Sequence, residues 1–489
     1  MTQTTADQRA GGPSMPEPPL LAADVGDYRK GLQRRHVQMI AIGGAIGTGL
    51  FLGAGSRLQA AGPALALVYL VCGLFTFLIL RAMGELVMHR PDSGSFVSYA
   101  REFLGEKGSF IAGWLYFLSW AMIGIVDITA VALYMHYWGI FAQIPQWAFA
   151  LIALCIVTAM NLVSVKYFGE LEFWFSLIKV AALCTFLLVG VAVLGTGVGV
   201  AGHSTGFHLI TDNGGVFPHG LVPALVLIQG VVFAYSGVEM IGVAAGECVD
   251  PRAIVPGAVN GVIWRIGLFY VGSVALLVCL LPWSSYSADE SPFVTFFHAL
   301  GVPGAASAMN LVVLTAALSS LNSGLYSTGR VLRAMAAGGS APRALTRLNA
   351  QAVPYIGILV TACIYLLGVG LNYLVPSQVF EIVLNVASLG ILSTWAFILL
   401  CQIRLRQAIA RGAAEPVSFR MPGAPVTAWL TLAFLGTVLV LMAFDYPSGT
   451  FTVAAITASC IHFRDISPAL PGMLHGRSVH APRAAFADA

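Results

Sequence analysis

A helix needs about 20 consecutive apolar residues to cross the hydrocarbon core of a bilayer, and this chain supplies such runs again and again. They fall at 37–56, 63–88, 109–137, 144–163, 173–197, 220–245, 258–282, 305–329, 355–374, 380–402 and 425–445. Only 10% of the 489 residues are charged, against about 25% in soluble domains. The pattern predicts an all-α polytopic membrane protein of eleven spans, with connections too short to hold a further domain.

Residues 1–36 hold Pro, Gly and a basic cluster (Arg29, Lys30, Arg34, Arg35) but no apolar h-region, so they read as a cytoplasmic tail. With that tail inside, Arg90, Arg101, Lys107, Lys166, Arg252, Arg330, Arg333 and the cations from Arg343 to Arg420 lie in inner loops, and Arg57 alone in an outer one. This bias is the positive-inside signal for orientation. The eight cysteines are scattered without a CxxC pair or metal-like spacing, so no metal or other cofactor is expected, and nothing points to nucleic acid. After the eleventh run, the apolar stretch from Thr450 to Ile461 is too short to span before His462, Phe463, Arg464 and Asp465 interrupt it. Region 425–463 is thus span eleven plus an incomplete twelfth, and 464–489 reads as a disordered tail.

Two runs are interrupted. The first contains "GGAIGTGLF" over 43–51, and glycine is among the poorest helix formers. Taken alone this stretch reads equally as close helix packing, since Gly43/Gly47 and Gly49/Gly53 each form a GxxxG, or as a helix break. The sixth run contains "FAYSGVEMIG" over 233–242, combining glycines, hydroxyls and an intramembrane carboxylate. The two lie five spans apart in opposite orientations. Matched interrupted helices in two halves point to a transporter with a binding site near the midplane. A broken helix offers N–H groups to a carboxylate and freed carbonyls to an ammonium, so the pair suits a zwitterion.

Charges inside a membrane are functional candidates by default. Asp127 falls in the middle of span three, and Glu239 in the sixth break itself. Lys179, in span five, either snorkels to the headgroups or faces a cavity. Arg81 and Glu85, four apart near the inner end of span two, predict a structural ion pair. Glu247, just past span six, reads as a loop or inner-gate contact. Span eight carries "LSSLNSGLYSTG", whose hydroxyls are either packing glue or part of a water-filled path that Asn322 would face.

The segments "RRHVQMIAIGGAIGTGLFLGAG", "RAMGEL", "GSFVSYAREFLG", "ELEFWFSLIKV" and "LSSLNSGLYSTGRVLRAMA" together resemble the amino acid transporter family of the amino acid–polyamine–organocation superfamily, from about Tyr28 to Tyr446. The stretches "GIVDITAVALYMHYWG", "TGFHLITDNGG" and "PALVLIQGVVFAYSGVEMIGVAAGE" look closest to members that import L-asparagine. The resemblance implies a five-plus-five inverted repeat, 37–197 (spans one to five) and 220–402 (spans six to ten), with discontinuous helices one and six. It also implies uptake driven by protons without ATP, across the bacterial cytoplasmic membrane. By motif position, Thr48, Gly49 and neighbouring amides would hold the substrate carboxylate. The carbonyls of Ala45, Phe233 and Ser236 would hold the ammonium. Ile46, Gly47, Tyr235, Ser320 and Asn322 complete the expected substrate site, with Glu239, Lys179 and Asp127 as proton-coupling candidates. Relatives have a full twelfth helix where this chain has "SCIHFRDISPALPGML".

The expected partners are thus a small amino acid, protons and the lipid bilayer. The expected function is proton symport of L-asparagine, with a permease or exchanger for aspartate, serine or GABA as the alternative. An intramembrane hydrolase would need a nucleophile–base pair or a metal cluster. The histidines (His36, His89, His136, His203, His208, His219, His298) fall at span ends and in loops, so no enzyme is expected.

Overall fold

The computed structural model describes residues 35–36, 38–39, 46–91, 96–248, 250–288, 290–374, 379–444, 449–450 and 452–454, without the side chains of 379–382. Ala45, nearly all of the N-terminal tail, most of the expected twelfth span and the whole C-terminal tail lie outside these residues.

Among the described residues the protein is all-helical, with no β-strand and one isolated bridge between Val200 and His203. Nine helices there are long and apolar enough to cross a membrane: Ala64–His89, Phe96–His136, Gln146–Val163, Val165–Thr196, Pro251–Leu280, Ala305–Ala337, Tyr355–Leu374, Val383–Ala410 and Val426–Phe444. They occupy the apolar runs of spans two to five and seven to eleven. The described parts of the first and sixth runs form shorter pieces instead: Thr48–Phe51 and Gly53–Ala61, then Leu221–Val226, Ile228–Ala234 and Met240–Ala245.

Several helices outrun their apolar core. Span five begins at Val165 and not at 173, with the Ser164 hydroxyl capping it by accepting from the Lys166 N–H. Span eight runs on to Ala337. The third begins at Phe96, with a break at Gly105, whose φ of 78° suits a residue without a Cβ. Span three packs along spans eight and ten, and span eight also lines span five, so the eighth lies in the interior of the bundle.

Helices also take in cations read above as loop residues, Arg101, Lys107, Lys166, Arg252, Arg404 and Arg406 among them, and three more are drawn into the interior. Arg57 lies in the helix Gly53–Ala61, and Arg330 and Arg333 in span eight, all three buried. The expected Arg81–Glu85 pair does not form. Glu85 is fully buried and pairs with Arg406, while accepting from Gln402 Nε2 at 3.1 Å and the Met421 N–H at 2.9 Å. Arg81 lies over the Phe419 ring, 3.7 Å from its centroid, and donates to Asn260 Oδ1 at 2.6 Å. A buried carboxylate needs several donors, and span ten with the connection that follows it supplies more than one turn of the same helix can.

Candidate functional site

The two interrupted helices meet. Gly47 is extended (φ −124°, ψ −161°) and the helix starts at Thr48, leaving the first amides of that helix without intrahelical acceptors. In the sixth run the helix stops at Ala234, Gly237 takes a φ of 87°, and the helix resumes at Met240. A Cβ on Gly49 would stand 2.5 Å from Ala234 Cα and 2.9 Å from Phe233 Cδ1. Only a glycine lets these two backbones approach so closely.

A polar centre lies beside this contact. Thr48 donates from Oγ1 to Asp127 Oδ1 at 2.9 Å. Asp127 is fully buried, and its Oδ2 has no hydrogen-bond partner among the described residues. Buried polar atoms are nearly always satisfied, so this oxygen marks a place for a donor or a proton alongside the Ser320 side chain, which also interacts with Asp127. Ser320, from span eight, lies near both: its side chain faces Asp127, and a Cβ on Gly47 would stand 3.8 Å from its Oγ. Gly47, Ser236 and Ser320 are partly accessible although their neighbours are buried, as expected of residues facing a solvent-reachable gap. Phe51, Phe186, Phe293 and Phe296 form an edge-on ring cluster beyond the start of the first helix, with centroids 4.9 to 5.4 Å apart.

The other candidates divide. Phe233 accepts the Ser236 N–H at 2.9 Å, which leaves one of its carbonyl lone pairs available. Tyr235 turns away into the core, where it stacks on Tyr270 (4.5 Å) and donates to the Tyr69 carbonyl at 2.8 Å. Tyr270 in turn donates to the Ala234 carbonyl at 3.2 Å, satisfying part of the helix end. Glu239 is buried and accepts from Trp395 Nε1 of span ten at 3.3 Å. Asn322 faces span four, where its Oδ1 accepts from Asn161 Nδ2 at 2.6 Å. Ile46 is buried beside Gly47.

Lys179 is fully buried rather than snorkelling. It lies within electrostatic reach of Asp127 and donates from Nζ to Ser319 Oγ at 2.9 Å. Ser319 passes on a hydrogen bond to Glu172 Oε1 at 2.7 Å, while Ser323 reaches Oε2 at 3.3 Å. Glu172, also fully buried, is absent from the residues singled out in the sequence. Seven residues separate it from Lys179, two turns on one helix face, and that spacing was the available signal. Arg57 was likewise missed: its guanidinium lies against Gly230 and donates to the Gly53 carbonyl.

The amino acid permease family profile matches residues 36–466. The chain is 71% identical to an L-asparagine permease of Escherichia coli over 429 residues, 88% of this chain and 86% of that protein. It is 59% identical to an L-asparagine permease of Streptomyces coelicolor, over 89% of this chain and 90% of the relative. The same identity is reached with L-asparagine permease 1 of Mycobacterium tuberculosis, over 88% of each chain.

Proposed function

The chain belongs to the amino acid permease family, and from that premise we propose that it imports L-asparagine across the bacterial cytoplasmic membrane by proton-coupled symport. Family membership points to a multi-pass transporter of amino acids rather than an enzyme. The observation that carries the finer reading is the meeting of the two interrupted helices beside Asp127 and its open oxygen.

In this reading the substrate carboxylate sits at the amides of Thr48 and Gly49, where the helix N-terminus favours an anion. The Phe233 and Ser236 carbonyls and Asp127 Oδ2 receive its ammonium. Spans one to five and six to ten form an inverted repeat, with the N-terminus in the cytoplasm, and rock around this point to expose it alternately. Lys179, within electrostatic reach of Asp127, supplies a cation within the membrane, and Asp127, Lys179 and Glu239 are the groups among which the coupled proton is shared. The names of the relatives support asparagine over aspartate, serine or GABA.

Uptake of labelled L-asparagine into proteoliposomes with an imposed inward proton gradient tests this reading. Accumulation should follow the gradient, collapse with a protonophore and be competed best by unlabelled asparagine. Uptake indifferent to the gradient would remove the proton from the mechanism, and better competition by another amino acid would reassign the substrate.

A further inference from the structure

We propose that Ser319 and Glu172 form a proton relay from Lys179 toward the cytoplasmic side, with Glu172 as the inward proton acceptor. The proposal rests on the proton-coupled reading above and names the path that coupling takes.

The geometry is that of a donor–acceptor thread. Lys179 Nζ and Glu172 Oε1 stand 3.9 Å apart, too far for a hydrogen bond. The Ser319 hydroxyl fills the interval, accepting from Nζ at 2.9 Å and donating to Oε1 at 2.7 Å. A hydroxyl both accepts and donates, so one proton can leave the ammonium for Ser319 Oγ as the hydroxyl's own proton passes to Glu172. One N–H and one O–H bond break and two O–H bonds form. The products are a neutral amine, an unchanged serine and a carboxylic acid, with no net charge moved into or out of the cluster. Lysine is the cation suited to this, since it yields its proton when buried and arginine does not.

The thread also has a direction. With the N-terminus inside, span five runs outward, so the backbone of Glu172 lies about 10 Å nearer the cytoplasm than that of Lys179, while the side chains converge until Nζ and Oε1 are 3.9 Å apart, which is the most the proton itself advances. The charged groups acting on Lys179 are Glu172 on its own helix and Asp127 on span three, which ties the upper end of the thread to the substrate centre. Span eight meets the lower end with the hydroxyls of Ser319 and Ser323; of its two cations, Arg330 is engaged by Glu247, and Arg333 donates to the Thr346 carbonyl at 3.3 Å.

Two assays on the full chain in proteoliposomes separate relay from scaffold. One is accumulation of labelled L-asparagine under an inward proton gradient. The other is exchange of external label for preloaded asparagine without a gradient, which needs no net proton release. Glu172→Gln and Ser319→Ala should each lower gradient-driven accumulation by roughly tenfold or more, the order expected when a proton-transfer group is lost, while exchange persists. Ser319→Thr, which keeps the hydroxyl, should restore accumulation. Wild-type accumulation in either neutral variant overturns the relay, as does parallel loss of accumulation and exchange in Ser319→Ala. Should Glu172→Gln fail to fold, the Ser319 pair decides alone. A wild type indifferent to the gradient would instead overturn the proton-coupled reading.

Discussion

Along one face of span eight, Ser319 joins Lys179 to Glu172, and eleven residues later Arg330 clamps Glu247. Eleven residues is just over three full turns, so both clusters lie on the same stripe of one helix. At the second, arginine meets carboxylate through both Nε and Nη2, and its guanidinium lies 3.4 Å from the centroid of the Tyr326 ring. Tyr326 itself stacks on Phe168 with centroids 3.8 Å apart. An arginine held this way cannot give up its proton. At the first, the cation is a lysine and a hydroxyl stands between the charges. The same helix thus holds a fixed clamp toward its C-terminal end and, near its middle, a thread that can pass a proton. A direct, planar contact is built for holding; an interposed donor–acceptor is built for exchange.

The clamp gives the largest expected effect. Glu247→Ala leaves Arg330 buried without its carboxylate, and removing one partner of a buried pair costs about 3–5 kcal/mol. Thermal unfolding of the detergent-solubilised protein should show this as a large fall in the midpoint. The double variant Glu247→Gln with Arg330→Met removes both charges and should recover most of that loss. If the double variant stays as unstable as the single one, the pair is not acting as a clamp.

Next comes the helix crossing beside the proposed substrate centre. Gly49→Ala drives a Cβ to 2.5 Å from Ala234 Cα, and overpacking of this kind costs about 1–3 kcal/mol. The effect should fall on transport more than on melting, because the displaced backbone carries the amides proposed to bind substrate. Loss of labelled asparagine uptake with a melting midpoint close to wild type is the expected result. Undiminished uptake would place the substrate away from this crossing.

These contrasts were unequally legible in the sequence. Glycines within apolar runs announced both interruptions, because few other causes put so many poor helix formers into a span. Asp127 and Lys179 stood out as charges deep in apolar windows. Glu172 and Arg330 were hidden by the opposite effect. Both lie on helical turns that extend past the apolar window, 165–172 and 330–337, where Lys166, Glu170 and Arg333 made the chain read as loop. Hydropathy marks where a helix meets lipid; it is silent on how far the helix continues into a protein-lined interior. Arg81 and Glu85 failed for a related reason, since their four-residue spacing allows a pair but span ten and the connection after it supplied stronger partners. Tertiary contacts of that kind leave no local signature.

Ser323 gives the smallest effect and the sharpest test of the thread. Its hydroxyl reaches Glu172 Oε2 at 3.3 Å, longer than the 2.7 Å bond from Ser319 to Oε1, and it does not lie between the two charges. Removing it with Ser323→Ala forfeits one ordinary hydrogen bond, about 0.5–1.5 kcal/mol, while Ser319 and Ser176 still donate to the carboxylate. Gradient-driven accumulation should therefore stay near wild type, in contrast to Ser319→Ala, although both variants delete a hydroxyl from the same helix and the same carboxylate. If the two serine variants lose accumulation equally, the cluster is acting as a cage that merely stabilises the Glu172 charge. The distinction between thread and clamp would then reduce to a difference in strength, since neither would depend on which atoms lie between the charges.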